Sequence, residues 1–280
     1  MNEIRLIVNA DDFARSKGVD RGILRAHHEG IVSTTTALMN QNNAVPSILL
    51  AHSQEPELGF GVHLNITFGK PLNPANSIAS LVATDDNFYD FRKILSGQVK
   101  WDIAHVEAEW RSQIERFLDT GLTLDHLDSH HHAAVFQPEL FELFLELAYE
   151  YGCGVRNPIP LDLERTDLLS LYPENIIRYI QDKAAELIST RGIRHPDALL
   201  ASFFAEQTTS GHLIEILESL KSGVYELMCH PGMADDDLRL SSSYAGYRVN
   251  ELHVLTDPAI GKTLTALGIK LHTFKTAWVG

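Results

Sequence analysis

The sequence predicts an α/β fold, namely a distorted (β/α) barrel of the TIM type with mostly parallel strands. Short apolar, β-branched segments alternate with helical segments of amphipathic spacing along the chain. Such alternation indicates parallel strands joined by right-handed crossovers. Polar clusters follow several predicted strands, and a barrel brings those strand ends together on one face. An open doubly wound sheet is the alternative, and it would gather fewer strand ends.

The first half of the chain contains four predicted strands. The first is followed by no glycine-rich phosphate loop, which argues against a dinucleotide-binding or P-loop fold. Residues 67–100 are irregular, and we expect them to form a lid or one wall of a cleft. The predicted strands are 4–8, 33–39, 60–64 and 122–124, and the predicted helices are 18–29, 44–54 and 105–120.

The second half continues the alternation. No linker rich in Pro, Gly or Ser divides the 280 residues, so a single domain over residues 1–280 is expected. The predicted helices are 138–151, 211–222 and 257–267, and the predicted strands are 155–156, 198–204, 223–228 and 269–274.

Composition excludes several classes of function. A net charge of -14 leaves no basic surface for a phosphate backbone, so nucleic acid is not an expected partner. No apolar run reaches the length of a membrane span, and the N-terminus does not resemble a signal peptide. We therefore expect a cytoplasmic protein without membrane association. Cys153 and Cys229 are too few for a disulfide framework and are predicted to be reduced core residues.

The strongest functional signal is the run Asp-His-Leu-Asp-Ser-His-His-His at residues 125–132. It follows a predicted buried strand and is bounded by apolar segments. Imidazole and carboxylate together suit Zn²⁺ or another divalent first-row ion. The run therefore predicts a metal site or a proton-transfer site.

A second cluster, Asn9-Ala10-Asp11-Asp12-Phe13, ends the first predicted strand. Adjacent carboxylates at a buried strand end are unfavourable, because like charges repel and burial penalises each. A helix N-cap would explain one Asp but not both. Neighbours in a strand point to opposite sides, so one Asp is expected to hold a metal while the other acts as a base.

Two histidines share this pattern of an apolar strand followed by a polar residue. His63 lies near the end of the third predicted strand, in Gly-Val-His-Leu-Asn at residues 61–65. His230 follows the strand 223–228, in Cys-His-Pro-Gly at residues 229–232. A barrel would bring both to the face that carries the two other clusters.

Together, these four blocks resemble the signature motifs of the YdjC-like carbohydrate deacetylases, a family that includes the chitooligosaccharide deacetylases. The blocks occur in the same order and spacing and span residues 9 to about 232. The sequence departs from the family pattern at Ala14, where relatives commonly have Gly, and at Ala133-Ala134-Val135, where relatives often have a further His. A positive φ at Ala14 would be costly.

The resemblance implies a distorted (β/α) barrel that hydrolyses the N-acetyl group of an amino sugar. It implies one divalent metal ion held by Asp12, His63 and His130. It also implies that Asp11 is the general base and that His230 is the general acid. Zn²⁺ or Mg²⁺ is the expected ion, with Mn²⁺, Co²⁺ or Ni²⁺ as alternatives.

Amide hydrolysis needs an activated water, a polarised carbonyl and a proton for the leaving amine. Asp128 or Asp125 is expected to orient a ligand histidine. Arg156 is expected to tune Asp11 or to hold substrate, with a surface ion pair as the alternative. His131 is a further candidate for substrate or supporting contacts.

Two other functions remain open from the sequence. A metallo-phosphoesterase would usually use a second ion, with His131 and Asp128 as possible extra ligands, but there is no early His-x-His pair. A non-catalytic sugar-binding protein on the same fold would not need the acid and base candidates. The partner is expected to be a small N-acetylated sugar, and a homodimer is the default oligomer.

Overall fold

The computed structural model describes residues 3–161 and 174–279. Its strands form a single sheet in the order β5-β4-β3-β2-β1-β7-β6, with β8 also on β1. Every ladder between these strands is parallel. The strands are β1 (Ile4–Phe13), β2 (Thr34–Ala37), β3 (Gly59–Leu64), β4 (His126–Ser129), β5 (Gly154–Val155), β6 (Ala198–Leu200), β7 (Gly223–Cys229) and β8 (Ile269–Leu271).

The two ends of the strand order meet. The segment after β5 forms a parallel bridge to β6, between Pro160 and Leu199. Leu199 donates its N–H to Ile159 O at 2.9 Å, and Leu161 donates its N–H to Leu199 O at 2.8 Å. The predicted distorted (β/α) barrel with mostly parallel strands is therefore confirmed.

Helices surround the strands. They are α1 (Lys17–His28), α2 (Ala44–Gln54), α3 (Phe91–Leu95), α4 (Ile103–Leu118), α5 (Pro138–Tyr151), α6 (Glu174–Tyr179), α7 (Ala185–Thr190), α8 (Ser210–Ser219), α9 (Asp236–Ser241), α10 (Ala245–Leu255) and α11 (Pro258–Leu267). Local signals explain their ends: the Ser16 hydroxyl accepts from Val19 N at the start of α1, and Gly268 ends α11 with a φ of 68°. Apolar helix faces pack on the barrel, including the buried Trp110 of α4 and Phe141 of α5.

The long strand β1 lies at the centre of the sheet. One edge pairs with β7 from Ile4 to Ala10. The other edge is shared, because β8 pairs with Ile4 to Leu6 and β2 pairs from Asn9 onward. This arrangement holds the end of β1 between β2 and β7.

The prediction of strand 122–124 is wrong. The fourth strand is His126–Ser129, so the first half of the histidine-rich run is itself the strand. The four residues are all buried, and two of the four side chains have barrel-interior partners: His126 stacks on Phe274, and Asp128 pairs with His63. Apolar periodicity cannot reveal a strand whose inward side chains are polar.

Other elements differ in extent or were not predicted. The strands at 198–204 and 269–274 end early, at Leu200 and Leu271. Residues 67–100 contain a 3₁₀ turn at Ala75–Ser77 and the short helix α3. Helices α6, α7, α9 and α10 were not predicted. Cys153 and Cys229 are buried free thiols, as expected. In the described part of the chain, no helix is long and apolar enough to cross a membrane.

Candidate active site

The carboxyl ends of the strands surround a cavity of about 310 Å³. Its lining includes all five residues that the resemblance assigned to catalysis or metal binding, Asp11, Asp12, His63, His130 and His230, and also His131. Asp128 and Arg156 are almost fully buried and pair with residues of this group. The barrel therefore brings together the predicted site residues except Asp125, the alternative to Asp128, which precedes β4.

A β-bulge explains how Asp11 and Asp12 reach the same cavity. Ala10 pairs with Thr35 but Phe13 pairs with Ala37, so β1 has one extra residue between these pairs. Asp12 has a φ of 74°, in the left-handed region. The expectation that the two side chains point to opposite sides is wrong, because the bulge breaks the alternation of the strand.

His63 and Asp128 are direct partners in the ladder between β3 and β4. His63 Nδ1 lies 2.6 Å from Asp128 Oδ1, and the Thr36 hydroxyl donates to Asp128 Oδ2 at 3.0 Å. A histidine that donates from Nδ1 to a carboxylate presents Nε2 as its free ring nitrogen. Asp128 is thus placed to orient His63.

His130 follows β4 directly and is oriented in a similar way. Its Nδ1 lies 2.7 Å from the Thr67 hydroxyl. Its Nε2 lies 3.6 Å from Asp12 Oδ1, and the Nε2 of His63 lies 3.5 Å from the same oxygen. Asp12 Oδ1 therefore lies within 3.6 Å of two imidazole nitrogens.

The chemistry of these three groups fits a divalent metal ion. Asp12 Oδ1 is buried and has no hydrogen-bond partner among the residues that the structure describes. A buried carboxylate oxygen without a partner is costly unless a cation satisfies it. Two His and one Asp are a donor set that first-row ions accept, with positions left for water and substrate.

A second group of ligand-type atoms is less suitable. Atoms of Asp11, His63 and Asp128 lie within 4.8 Å of one another. However, the guanidinium of Arg156 donates to both oxygens of Asp11 and lies 3.0 Å from Asp128 Oδ2. This positive charge already satisfies the carboxylates and would repel an ion, so the first group is the better candidate.

Asp11 is held by three donors. Arg156 Nη1 donates to Oδ2 at 2.8 Å, Nη2 donates to Oδ1 at 2.7 Å, and the Asn9 side-chain amide donates to Oδ1 at 2.8 Å. Burial alone would raise the pKa of Asp11, but the Arg156 guanidinium outweighs it and holds that pKa below its usual range. Arg156 therefore contacts Asp11 directly and is no surface residue. Its Nε also donates to the buried Glu226 at 2.7 Å.

Burial and charge act differently on the two candidate histidine ligands. Burial would lower the pKa of His63, but the carboxylates led by Asp128 outweigh it and raise that pKa to about 9. For His130, burial and the neighbouring His131 lower the pKa well below its usual value, despite Asp12. His130 is thus a neutral imidazole, the form that binds metal ions.

His230 lies directly after β7 and beside Asp11. Its Nε2 is 3.8 Å from Asp11 Oδ2. Its backbone N–H donates to the buried Glu251, whose Oε1 lies 3.7 Å from His230 Nδ1. The rings of Phe204 and Tyr244 lie against His230 at centroid distances of 5.8 and 5.7 Å.

Aromatic rings line two walls of the cavity. Phe91 of α3 stacks on His131 at 4.0 Å, so residues 67–100 supply one wall. Phe204 and Tyr244 stack on each other at 4.6 Å and supply another. Among the aromatic residues of the 67–100 region, Phe88 is buried in the core rather than placed in the cavity.

Sequence reasoning missed three site residues on and before α10. Arg248 donates a hydrogen bond to Asp12, and Glu251 accepts one from the backbone N–H of His230. Tyr244 donates its hydroxyl to Glu251, so all three residues lie at the site. Their spacing of four and then three residues puts them on one helix face. This spacing was the only signal in the sequence, and it did not show that the helix packs against the barrel.

These features define a class of protein: a parallel (β/α) barrel with a candidate hydrolytic metal centre at the carboxyl ends of its strands. The chain belongs to the YdjC-like protein family, whose sequence model matches residues 5–266. The resemblance inferred from the motifs is therefore confirmed.

Known relatives cover nearly the whole chain. A carbohydrate deacetylase of Oceanobacillus iheyensis is 35% identical over 255 residues, which cover 90% of this chain and 96% of the relative. A carbohydrate deacetylase of Brevibacillus brevis is 34% identical over 273 residues, covering 97% and 98%. The crystal structure of an Enterococcus faecalis V583 protein assigned to cellobiose-phosphate cleavage superposes with a TM-score of 0.81, at 28% identity and 98% coverage of both chains.

Proposed function

We propose that this protein is a metal-dependent carbohydrate deacetylase that hydrolyses the N-acetyl group of an amino sugar. The observation that carries the proposal is that His63 Nε2 and His130 Nε2 both face Asp12 Oδ1, next to Asp11 and His230. That oxygen accepts no hydrogen bond from the described part of the chain. The relatives named carbohydrate deacetylase support the same substrate class.

Asp12, His63 and His130 would hold one divalent ion. When bound, such an ion polarises an acyl carbonyl and lowers the pKa of water. The unshared nitrogen of each histidine faces Asp12, because Asp128 and Thr67 occupy the two Nδ1 atoms. These supporting contacts keep the three donors in place.

Asp11 would accept a proton from the attacking water. The Arg156 pair keeps Asp11 ionised, which is the form in which a carboxylate accepts a proton. The same pair fixes the plane of the carboxylate. The orientation and the charge of the Asp11 carboxylate are thus set by its neighbours.

His230 would donate a proton to the departing amine. Its Nε2 faces the cavity near Asp11, and Glu251 lies behind its Nδ1. A carboxylate behind a histidine helps to fix the orientation of its ring. Base and acid therefore lie side by side at the cavity, where an acetamido group could contact both.

The test is acetate release from a panel of N-acetylated mono-, di- and oligosaccharides by metal-loaded protein. We expect release that is lost on chelation and in Asp11→Asn and Asp12→Asn. Asp125→Asn is the matched control, since Asp125 is also buried but precedes β4, at the opposite end of the barrel. Acetate release by Asp12→Asn at the wild-type rate would contradict the proposal.

Two outcomes would favour the alternatives. Hydrolysis of phosphate esters without acetate release would indicate a metallo-phosphoesterase. Binding of the sugars with no turnover, while the metal is bound, would indicate a binding protein. The cytoplasmic location, the single domain and the homodimer stay predictions.

A further inference from the structure

The two oxygens of Asp12 have different surroundings. Oδ2 accepts a hydrogen bond from Arg248 Nη2. Oδ1 faces the Nε2 atoms of His63 and His130 and is without a hydrogen-bond partner in residues 3–161 and 174–279. One oxygen is thus already neutralised by a fixed cation, and the other is left for a ligand.

Arg248 is buried beside Asp12. Its side chain is 5% exposed and projects from α10 beside the end of β1. Its aliphatic carbons lie against Gly232, where an added Cβ would meet Arg248 Cβ and Cδ at 3.3 Å. Gly232 N also donates to Arg248 O at 3.1 Å.

The pair changes the charge of the candidate metal site. Asp12 carries the single negative charge of the proposed donor set, and Arg248 balances it. Mg²⁺ binds mainly through charged and neutral oxygens, whereas Zn²⁺, Co²⁺ and Ni²⁺ bind imidazole well. A site with one neutralised carboxylate and two imidazoles therefore has little attraction for an oxygen-preferring ion.

We propose that Arg248 is a positioning residue that restricts Asp12 to one ligand oxygen and so selects an imidazole-binding first-row ion over Mg²⁺. This inference rests on the proposed function, because it requires the ion to be held by Asp12, His63 and His130. It adds the class of the ion and the residue that determines it.

A general effect of nearby positive charge is the competing explanation, and Arg15 provides the control. Arg15 also lines the cavity and lies over the Phe68 ring at 4.1 Å. Its side chain donates to Ser241 O at 3.3 Å, whereas the hydrogen bond to Asp12 Oδ2 comes from Arg248. Arg15→Met removes a charge of the same sign without removing the Asp12 contact.

The experiment measures Zn²⁺ and Mg²⁺ affinities of the metal-free full chain by competition titration. The variants are Arg248→Met, Arg248→Gln, Arg15→Met and Asp12→Asn, each checked for folding by circular dichroism. Both Arg248 substitutions remove the positive charge, so one folded variant is enough for the comparison if the other fails to fold. We expect the ratio of Zn²⁺ to Mg²⁺ affinity to fall about 10-fold or more in the Arg248 variants, chiefly because Mg²⁺ binds better.

The outcomes separate the inference from the proposed function. A ratio in folded Arg248 variants that stays within about 3-fold of wild type, with binding abolished in Asp12→Asn, overturns the inference and leaves the metal site intact. An equal fall in Arg15→Met also overturns it, because charge alone would then suffice. Wild-type affinity retained by Asp12→Asn would refute the site itself.

Discussion

Arg156 binds both carboxylate oxygens of Asp11 through two parallel hydrogen bonds of 2.7 and 2.8 Å inside the barrel. Bidentate pairing of this kind is strong and directional. It also leaves each partner dependent on the other, since both are almost fully buried. The candidate base therefore also belongs to a buried ion pair that stabilises the barrel.

Arg156→Met is expected to destabilise the fold by about 3–5 kcal/mol, because it leaves buried carboxylates without their counter-charge. Urea unfolding followed by circular dichroism measures this change. Arg116→Met is the control, since Arg116 is partly buried and donates to a backbone carbonyl, Met39 O, at 2.6 Å. Its loss should cost about 1 kcal/mol. Equal losses in the two variants would refute the central role of Arg156.

His230→Gln is expected to lower kcat by about 10²–10⁴-fold if His230 is the general acid. Substrate binding should change much less, so KM separates loss of chemistry from loss of binding. His212→Gln is the comparison, because His212 is also partly buried and contacts Ser202 Oγ at 3.2 Å, outside the residues lining the cavity. A His230 variant with wild-type kcat would exclude this role.

Ala14→Gly is expected to leave stability unchanged or raise it by up to about 1.6 kcal/mol. Ala14 has a φ of 72°, which costs an L-residue about 1–2 kcal/mol, whereas glycine loses about 0.4–1 kcal/mol through its freer unfolded chain. Thermal or urea unfolding measures the difference.

Ala26→Gly is the control for Ala14, because Ala26 is a buried residue of α1. Glycine there should destabilise by about 1 kcal/mol or more. If both substitutions destabilise equally, the left-handed conformation at Ala14 carries no strain.

Asp125→Asn is expected to remove a pH dependence of stability. Burial raises the pKa of Asp125 to about 6 from a usual 3.8, and Thr273 opposes this only in part. The folded state therefore holds a proton that the unfolded state has released between pH 4 and 6. Stability should fall by about 3 kcal/mol over that range and then level off.

Urea unfolding of wild type and Asp125→Asn at pH 4 to 8 checks this. The free energy of unfolding of the wild type should fall relative to that of the variant as the pH rises to 6. Thr123→Val, at the same end of the barrel, introduces no titratable group and should follow the wild-type profile. Parallel profiles for wild type and Asp125→Asn would contradict the shift.

The sequence predicted the barrel and many of the residues at its open end, because several predicted strands ended in a polar cluster. It failed at His126–Ser129, where inward polar residues are compensated by partners that are distant in sequence. The bulge at Asp11 and Asp12 also escaped prediction, since it depends on the pairing of β1 with β2. The roles of Arg248 and Glu251 required the docking of α10 to be known.

The division of β1's edge between β8 and β2 has a consequence for folding kinetics. The strand that carries Asp11 and Asp12 lies near the N-terminus of the sequence. Its pairing with β7 and β8 joins it to residues near the other end of the sequence. Contacts of such high sequence separation form slowly, because a long loop must close first. The candidate catalytic carboxylates should therefore reach their final geometry late, as the ring of strands closes around them.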